Sequence, residues 1–247
     1  MELNGAKILY TIHTDIPFLG DFKITQTLVS TWIVMALLSG LAIWLGHGLK
    51  LENVSKRQAA AEFIVTRLDQ FVHDNMGYHF DQYIPLIGSI FALSTGCNLI
   101  SVVGLWSPTA DLNTEAAWAI VVFVLIMYYK IKTNGILSYL KGLLDPIFIM
   151  APINVLSEVS TPVSMAFRHF GNILSGTVIS TLLYWALAGL SHVIFGWLPG
   201  VLGDIQLFQI GIPAFTGLYF DWFGGCIQAF IFCTLTAIFI KRAAGEE

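Results

Sequence analysis

The stretch from Asn154 to Phe195, NVLSEVSTPVSMAFRHFGNILSGTVISTLLYWALAGLSHVIF, decides the fold. It reads as one nearly continuous apolar helix, and its roughly 42 residues at about 1.5 Å each make about 63 Å. That is twice the roughly 30 Å hydrocarbon thickness of a bilayer. A helix of this length must tilt strongly, kink near Pro162, or break. Near its middle stands Arg168, the only Lys or Arg between Lys141 and Lys241. An arginine at membrane depth costs at least about 2.5–3.5 kcal/mol, so it faces protein or water. Its guanidinium stays charged at any physiological pH, which makes it a fixed cation rather than a proton carrier. It serves either a structural ion pair with Glu158 or Asp221, or an ion pathway.

Composition extends this reading to the whole chain. Of 247 residues, 56% are hydrophobic and 11% charged, against roughly 25% charged in soluble domains. The expected class is an all-α polytopic membrane protein with about five transmembrane helices and one amphipathic surface helix. Residues 1–24 form an extracytoplasmic N-terminus in which Met1 to Lys23 shows no signal-peptide pattern. Residues 25–46 are the first span, 53–76 the amphipathic helix and 83–132 a helical hairpin. The arginine-bearing helix occupies 146–195 and the final helix 204–243, all in one membrane domain.

Local signals support these divisions. Ser55-Lys-Arg-Gln opens the amphipathic segment like a capping box. Phe63, Ile64, Leu68, Phe71 and Val72 then repeat opposite Arg67, Asp69, Gln70 and Asp74, as in a helix lying on a membrane surface or a partner. Pro146 and Pro152 bracket an apolar stretch expected to be broken or re-entrant. With five crossings, Lys50 to Arg67, Lys130 to Lys141 and Lys241-Arg242 fall on one face. Basic residues favour the cytoplasm, so the N-terminus is expected outside and the C-terminus inside.

Several function classes are excluded. No Gly-rich phosphate loop, HExxH or GxSxG occurs, which argues against nucleotide chemistry or hydrolysis in this chain. Cys97, Cys226 and Cys233 lie in apolar stretches without metal-ligand spacing and read as small hydrophobes. No metal, cofactor or nucleic-acid partner is expected.

The remaining polar residues form three levels. Ser164, Arg168, Gly171, Asn172 and Ser175 share a helix face, a small-residue strip that lets another helix approach closely. Asp221 and Gln228, seven apart, are nearly aligned on the last helix. Asn154 and Glu158 form an inner set, with Glu158 about 15 Å from Arg168 along the axis. Arg168, Asn172 and Gln228 form a midplane set. Asp221, Asp111 and Asn98 form an outer one. His169, beside the arginine but turned about 100° from it, either lines a water path or is a packed histidine. His13, His47, His73, His79 and His192 lie near span ends. The pattern suggests two half-pathways that meet at a fixed cation and need an ion carrier supplied from elsewhere.

Pro162-Val-Ser-Met-Ala-Phe-Arg-His-Phe-Gly-Asn-Ile-Leu-Ser-Gly176 resembles the arginine helix of the a subunit of F-type ATP synthases. Pro108-Thr-Ala-Asp-Leu-Asn-Thr114 and Ile227-Gln-Ala-Phe-Ile-Phe232 are similar to two further motifs of that family, in the same order. The resemblance implies an ion-translocating stator, not an enzyme on its own but part of the H+-transporting ATPase. Its last two helices would be long, tilted and packed against the c-subunit ring. Its other partners would be peripheral-stalk b subunits, the remaining ATP synthase subunits and membrane lipid. Arg168 would face the ring's carboxylate, with Asn172 and Gln228 in support. Asp221 and Asp111 would line the outer half-channel, Glu158 and Asn154 the inner. A bacterial plasma membrane is expected rather than a thylakoid, with protons as the coupling ion and a sodium-coupled member as the alternative.

Two departures stand out: His169 occupies a usual Leu position, and Thr177 a position where many members carry Glu or His. Other classes make different demands. A self-contained transporter predicts inverted repeats between the halves, and none is visible. A membrane scaffold would need Arg168 only for a salt bridge.

Overall fold

The computed structural model describes residues 6–13, 21–52, 54–145, 147–197, 207–209 and 216–245. Among the described residues, seven α-helices follow an N-terminal hairpin of β1 (Ile8–Ile12) and β2 (Phe22–Thr25), paired antiparallel with Ile12 opposite Phe22. The hairpin is not apparent in the hydrophobic pattern, although Ile8-Leu-Tyr-Thr-Ile12 is rich in the β-branched and aromatic residues that favour strands. It leads into α1 (Gln26–Gly46), whose N-cap Thr25 accepts a hydrogen bond from the Leu28 amide.

The other helices are α2 (Lys56–Met76), α3 (Ile84–Leu99), α4 (Leu112–Asn134), the short α5 (Ile136–Leu144), α6 (Ala151–Phe195) and α7 (Gly225–Ala243). Among the described residues, four stretches are long and apolar enough to cross a membrane: Gln26–Gly46, Leu112–Asn134, Phe148–Phe195 and Trp222–Ala243. The remaining crossing expected from the sequence falls on α3. This helix has 16 residues and passes into a 3-10 turn, Ile100–Val103, that stops at Gly104 with φ of 82°.

Proline neither breaks α6 nor splits it. The helix runs for 45 residues through Pro162, about 68 Å at the usual rise. Pro162 has no N–H to offer the Glu158 carbonyl four residues back. The break falls earlier, where α5 ends at Leu144 and a 3-10 turn, Phe148–Met150, leads into α6. Pro146, one of the two expected bracketing prolines, lies outside the described residues.

α4 packs along α6, and α3 and α2 pack against α7. The main core joins Val72 and Met76 of α2, Ile87 of α3, Val122 and Ile126 of α4, Met165 of α6, and Phe232, Ala237 and Ile240 of α7. In lipid, helices gain little from hiding apolar surface from one another, so close packing of small residues must hold them. Ala229, Cys233, Thr236, Ala237 and Ala243 supply such a face on α7, all of them buried. Among the described glycines that face another helix, Gly225 is the tightest: a Cβ there would lie 2.7 Å from Asn98 Cβ. The far ends of α4 and α7 meet through Thr133 Oγ1, which donates to the Ala244 carbonyl at 3.4 Å. That contact gathers Lys130, Lys132, Lys241 and Arg242 at one end of the bundle.

Candidate ion-gate site

Arg168 lies on the exposed side of α6 with Ser157, Ser160, Ser164 and Ser175, each three or four residues from a neighbour on the stripe once Gly171 is included. This is the periodicity of a single helix face. Several hydroxyls of this helix, those of Thr161, Ser175, Thr177 and Thr181, are satisfied by carbonyls of the preceding turn. Ser175 donates to the Gly171 carbonyl at 2.7 Å, and Thr161 to the Ser157 carbonyl at 3.4 Å. They therefore add polarity to the face without needing another helix to bond them. No described side chain forms an ion pair with Arg168.

Two hollows reach the guanidinium. One, about 300 Å³, is lined by Ser157, Ser160, Thr161, Ser164 and Arg168 on α6 and by Leu235 and Phe239 on α7. It extends from Arg168 toward the basic end of the bundle. The second, about 10 Å³, brings Arg168, His169 and Gln228 together between α6 and α7, with Met165, Ile231, Phe232 and Leu235 as apolar walls. It has room for about one water molecule. The structure thus unites Arg168, Gln228 and His169 at one level.

Asn172 sits a turn further on, its amide 3.3 Å from where a Cβ on Gly224 would stand. A side chain at 224 would press on that amide and ask it to shift by a few tenths of an ångström. Gly224 closes a π-helical segment, Leu218–Gly224, that leads into α7. The underwound π turn breaks the constant 3.6-residue phase on which an alignment of positions 221 and 228 rests. The backbone of Asp221 belongs to this segment, and its side chain lies outside what is described. Thr177 donates to the Ile173 carbonyl at 3.0 Å.

The other sequence-predicted residues are held by specific partners. Asn98 is buried, donates to the Gly225 carbonyl at 3.2 Å, and accepts from Thr109 Oγ1. Thr109 meets Ser107 at 2.7 Å, and Ser107 donates to the Cys97 carbonyl at 2.8 Å. Asp111 is the N-cap of α4, accepting from the Asn113 amide at 3.0 Å, and its other oxygen accepts from Thr27 Oγ1 at 3.0 Å. Glu158 pairs with Lys130 of α4. Beside them burial, and then the charge of Glu158, push the Tyr139 phenol above its ordinary range. Asn154 donates to the Leu143 and Asp145 carbonyls, both at 2.9 Å, and so ties the α5–α6 connection.

Sequence reasoning passed over Glu115. It stands in the first turn of α4, where an acidic residue suits the helix dipole, yet it is fully buried. Its Oε2 lies 2.9 Å from Nδ1 of His169, itself 1% exposed. The one available signal was an acidic residue four positions after Asp111, at the mouth of an apolar run. Among the described residues, no group of three or more His, Cys, Asp or Glu is placed to hold a metal ion.

Comparison with known proteins places this geometry in context. The family described as ATP synthase A chain matches residues 28–241. ATP synthase subunit a 1 of Crocosphaera subtropica is 34% identical over 221 residues, covering 88% of this chain and 86% of that protein. ATP synthase subunit a 1 of Prosthecochloris aestuarii is 31% identical over 245 residues, covering 98% and 97%. A protein of Propionigenium modestum named ATP synthase subunit a, sodium ion specific, is 29% identical over 272 aligned residues, covering 99% and 86%.

Proposed function

Since the chain belongs to the a-subunit family of F-type ATP synthases, we propose that it translocates protons along two half-channels kept apart by Arg168. The observation that carries this reading is an exposed arginine, on a small-residue face, unpaired by any described side chain. A cation in that setting is left for a partner's charge.

The partner is the carboxylate of a ring of c subunits. In lipid that carboxyl stays neutral by holding an ion, because a bare buried charge is too costly. When rotation brings it opposite Arg168, attraction at about 4 Å is worth about 4 kcal/mol at an effective dielectric of 20. That lowers its proton affinity about a thousandfold, enough to force release before the site passes. Arg168 cannot lose its own proton, so it blocks a leak while the ring turns. Ser164, Gly171 and Ser175 let the ring's helix approach, and Asn172 and Gln228 support the guanidinium. The hollow lined by Ser157, Ser160 and Thr161 gives water access on the side of Asn154 and Glu158, the inner half-channel. Asp111, Asn98 and Asp221 belong to the outer one. The chain sits in a bacterial plasma membrane with its N-terminus outside and its basic end cytoplasmic, held by b subunits of the peripheral stalk.

The relative named as sodium ion specific keeps a second reading open, in which sodium is the coupling ion. Both are tested by ATP-driven ion uptake into vesicles bearing the whole complex, with sodium varied. Arg168→Ala is expected to abolish uptake while the catalytic head still hydrolyses ATP. Wild-type uptake should be independent of sodium. Normal pumping by the assembled variant would make Arg168 structural, and uptake that requires sodium would establish the second reading.

A further inference from the structure

Behind the arginine face, Glu115 and His169 form a pair with no obvious structural return. Both are at least 99% buried, 2.9 Å apart, with the ring nitrogen off the line of a good hydrogen bond. Glu115 Oε1 has no hydrogen-bond partner among the described residues. Burying ionisable groups costs several kcal/mol each, and packed apolar residues commonly do as well for stability.

The pair is also connected on both sides. On one, His169 lines the one-water cavity that it shares with Arg168 and Gln228. On the other, His169 Nε2 lies 3.4 Å from Ser94 Oγ on α3. One turn along α3 from Ser94, Asn98 begins the hydrogen-bonded group with Thr109 and Ser107 in the loop that precedes α4. A polar column therefore runs from that loop to the back of Arg168 without using the last helix.

The geometry points to Glu115 and His169 as a proton-transferring dyad that feeds the Arg168 cavity from the Ser107–Thr109 end of the bundle. The inference rests on the reading of Arg168 given above, and it favours protons over sodium because imidazole exchanges protons in the physiological range. A proton arriving by way of Ser94 forms an N–H bond at His169 Nε2, while Nδ1 keeps its own proton toward the Glu115 carboxylate, which holds the imidazolium. As the imidazole swings toward the cavity, water there takes the Nε2 proton and passes it to the carboxylate of the c ring. Loss of that proton leaves the imidazole neutral in its starting tautomer. Facing the pair are Ser94 and Cys97 of α3, Trp118 of α4, Arg168 of α6, and Gln228 and Phe232 of α7. Arg168 is the one permanent charge among these, and it drives the imidazolium to give up its proton on the cavity side.

The test uses the whole complex in vesicles, comparing ATP-driven proton uptake across pH at equal amounts of assembled subunit. Glu115→Gln should lower uptake at least tenfold while ATP hydrolysis by the detached head is unchanged. Glu115→Asp should still pump, with its pH profile moved by at least about half a unit. Wild-type uptake and profile in both variants would overturn the dyad. So would full recovery in the Glu115→Gln/His169→Gln double variant, which keeps a neutral hydrogen-bonding pair and carries no proton. Should Glu115→Gln fail to assemble, Glu115→Asp decides by its pH profile alone. Pumping by Arg168→Ala would instead overturn the reading of Arg168, whatever the Glu115 variants do.

Discussion

Arg168 and His169 are neighbours in sequence but sit in opposite surroundings. The first is exposed on a stripe of serines, and the second is 1% exposed against a buried carboxylate. A step of about 100° around one helix separates them. The difference teaches where a membrane protein keeps charge for itself and where it leaves charge for others. Glu115 meets His169 inside the fold, and Lys130 meets Glu158 nearer the basic end. Among the described central charges of the bundle, Arg168 alone is turned outward.

The sharpest way to break that contrast is to remove the outward charge. Arg168→Ala should reduce coupled uptake at least a hundredfold, and Arg168→Lys should restore only part of it, because an ammonium lacks the planar fork that meets a carboxylate twice. Uptake assays on the assembled complex decide both. Next, filling the groove should act on the outward side alone. Ser164→Leu places a branched chain beside Arg168 and should lower uptake about tenfold, with the subunit's thermal stability unchanged. A closer look at the inward side comes from Gly225→Ala. Its Cβ would meet Asn98 at 2.7 Å, so about 1–3 kcal/mol of overpacking is expected, read as a lower Tm of the purified complex. The smallest effect should come from Glu158→Gln. The Lys130–Glu158 pair is partly exposed, with side chains 29% and 20% accessible, and such pairs contribute about 0–1 kcal/mol. Uptake within twofold of wild type would confirm a structural pair, and a large loss would return Glu158 to the ion path.

What was legible in the sequence follows from how local each signal is. Apolar runs mark the spans because a bilayer sets their length. Ser55 marks the start of α2, where its hydroxyl accepts from the Gln58 amide at 3.2 Å. Only half of the expected capping box forms, because Gln58 turns to the Lys50 backbone and to Glu62. The Arg168 stripe is a spacing within one helix and could be counted. Glu115 and His169 lie on different helices, and no local pattern reports a pairing across α4 and α6. The joining of Asn98 to Gly225, and of Asn172 to the space left by Gly224, was hidden for the same reason. The π turn before α7 has no composition signal of its own, and it altered a helical alignment that the sequence implied.

The unbroken course of α6 carries a mechanical consequence. A rotor that pushes on Arg168 pushes near the middle of a beam about 68 Å long, braced along its flank by α4 and at one end by α5. A hinge at Pro162 would have let that thrust bend the helix and be lost as motion of the stator. Continuity instead makes the beam stiff, so in the mechanism proposed above the sideways load of each step would pass into its braces rather than bend the helix.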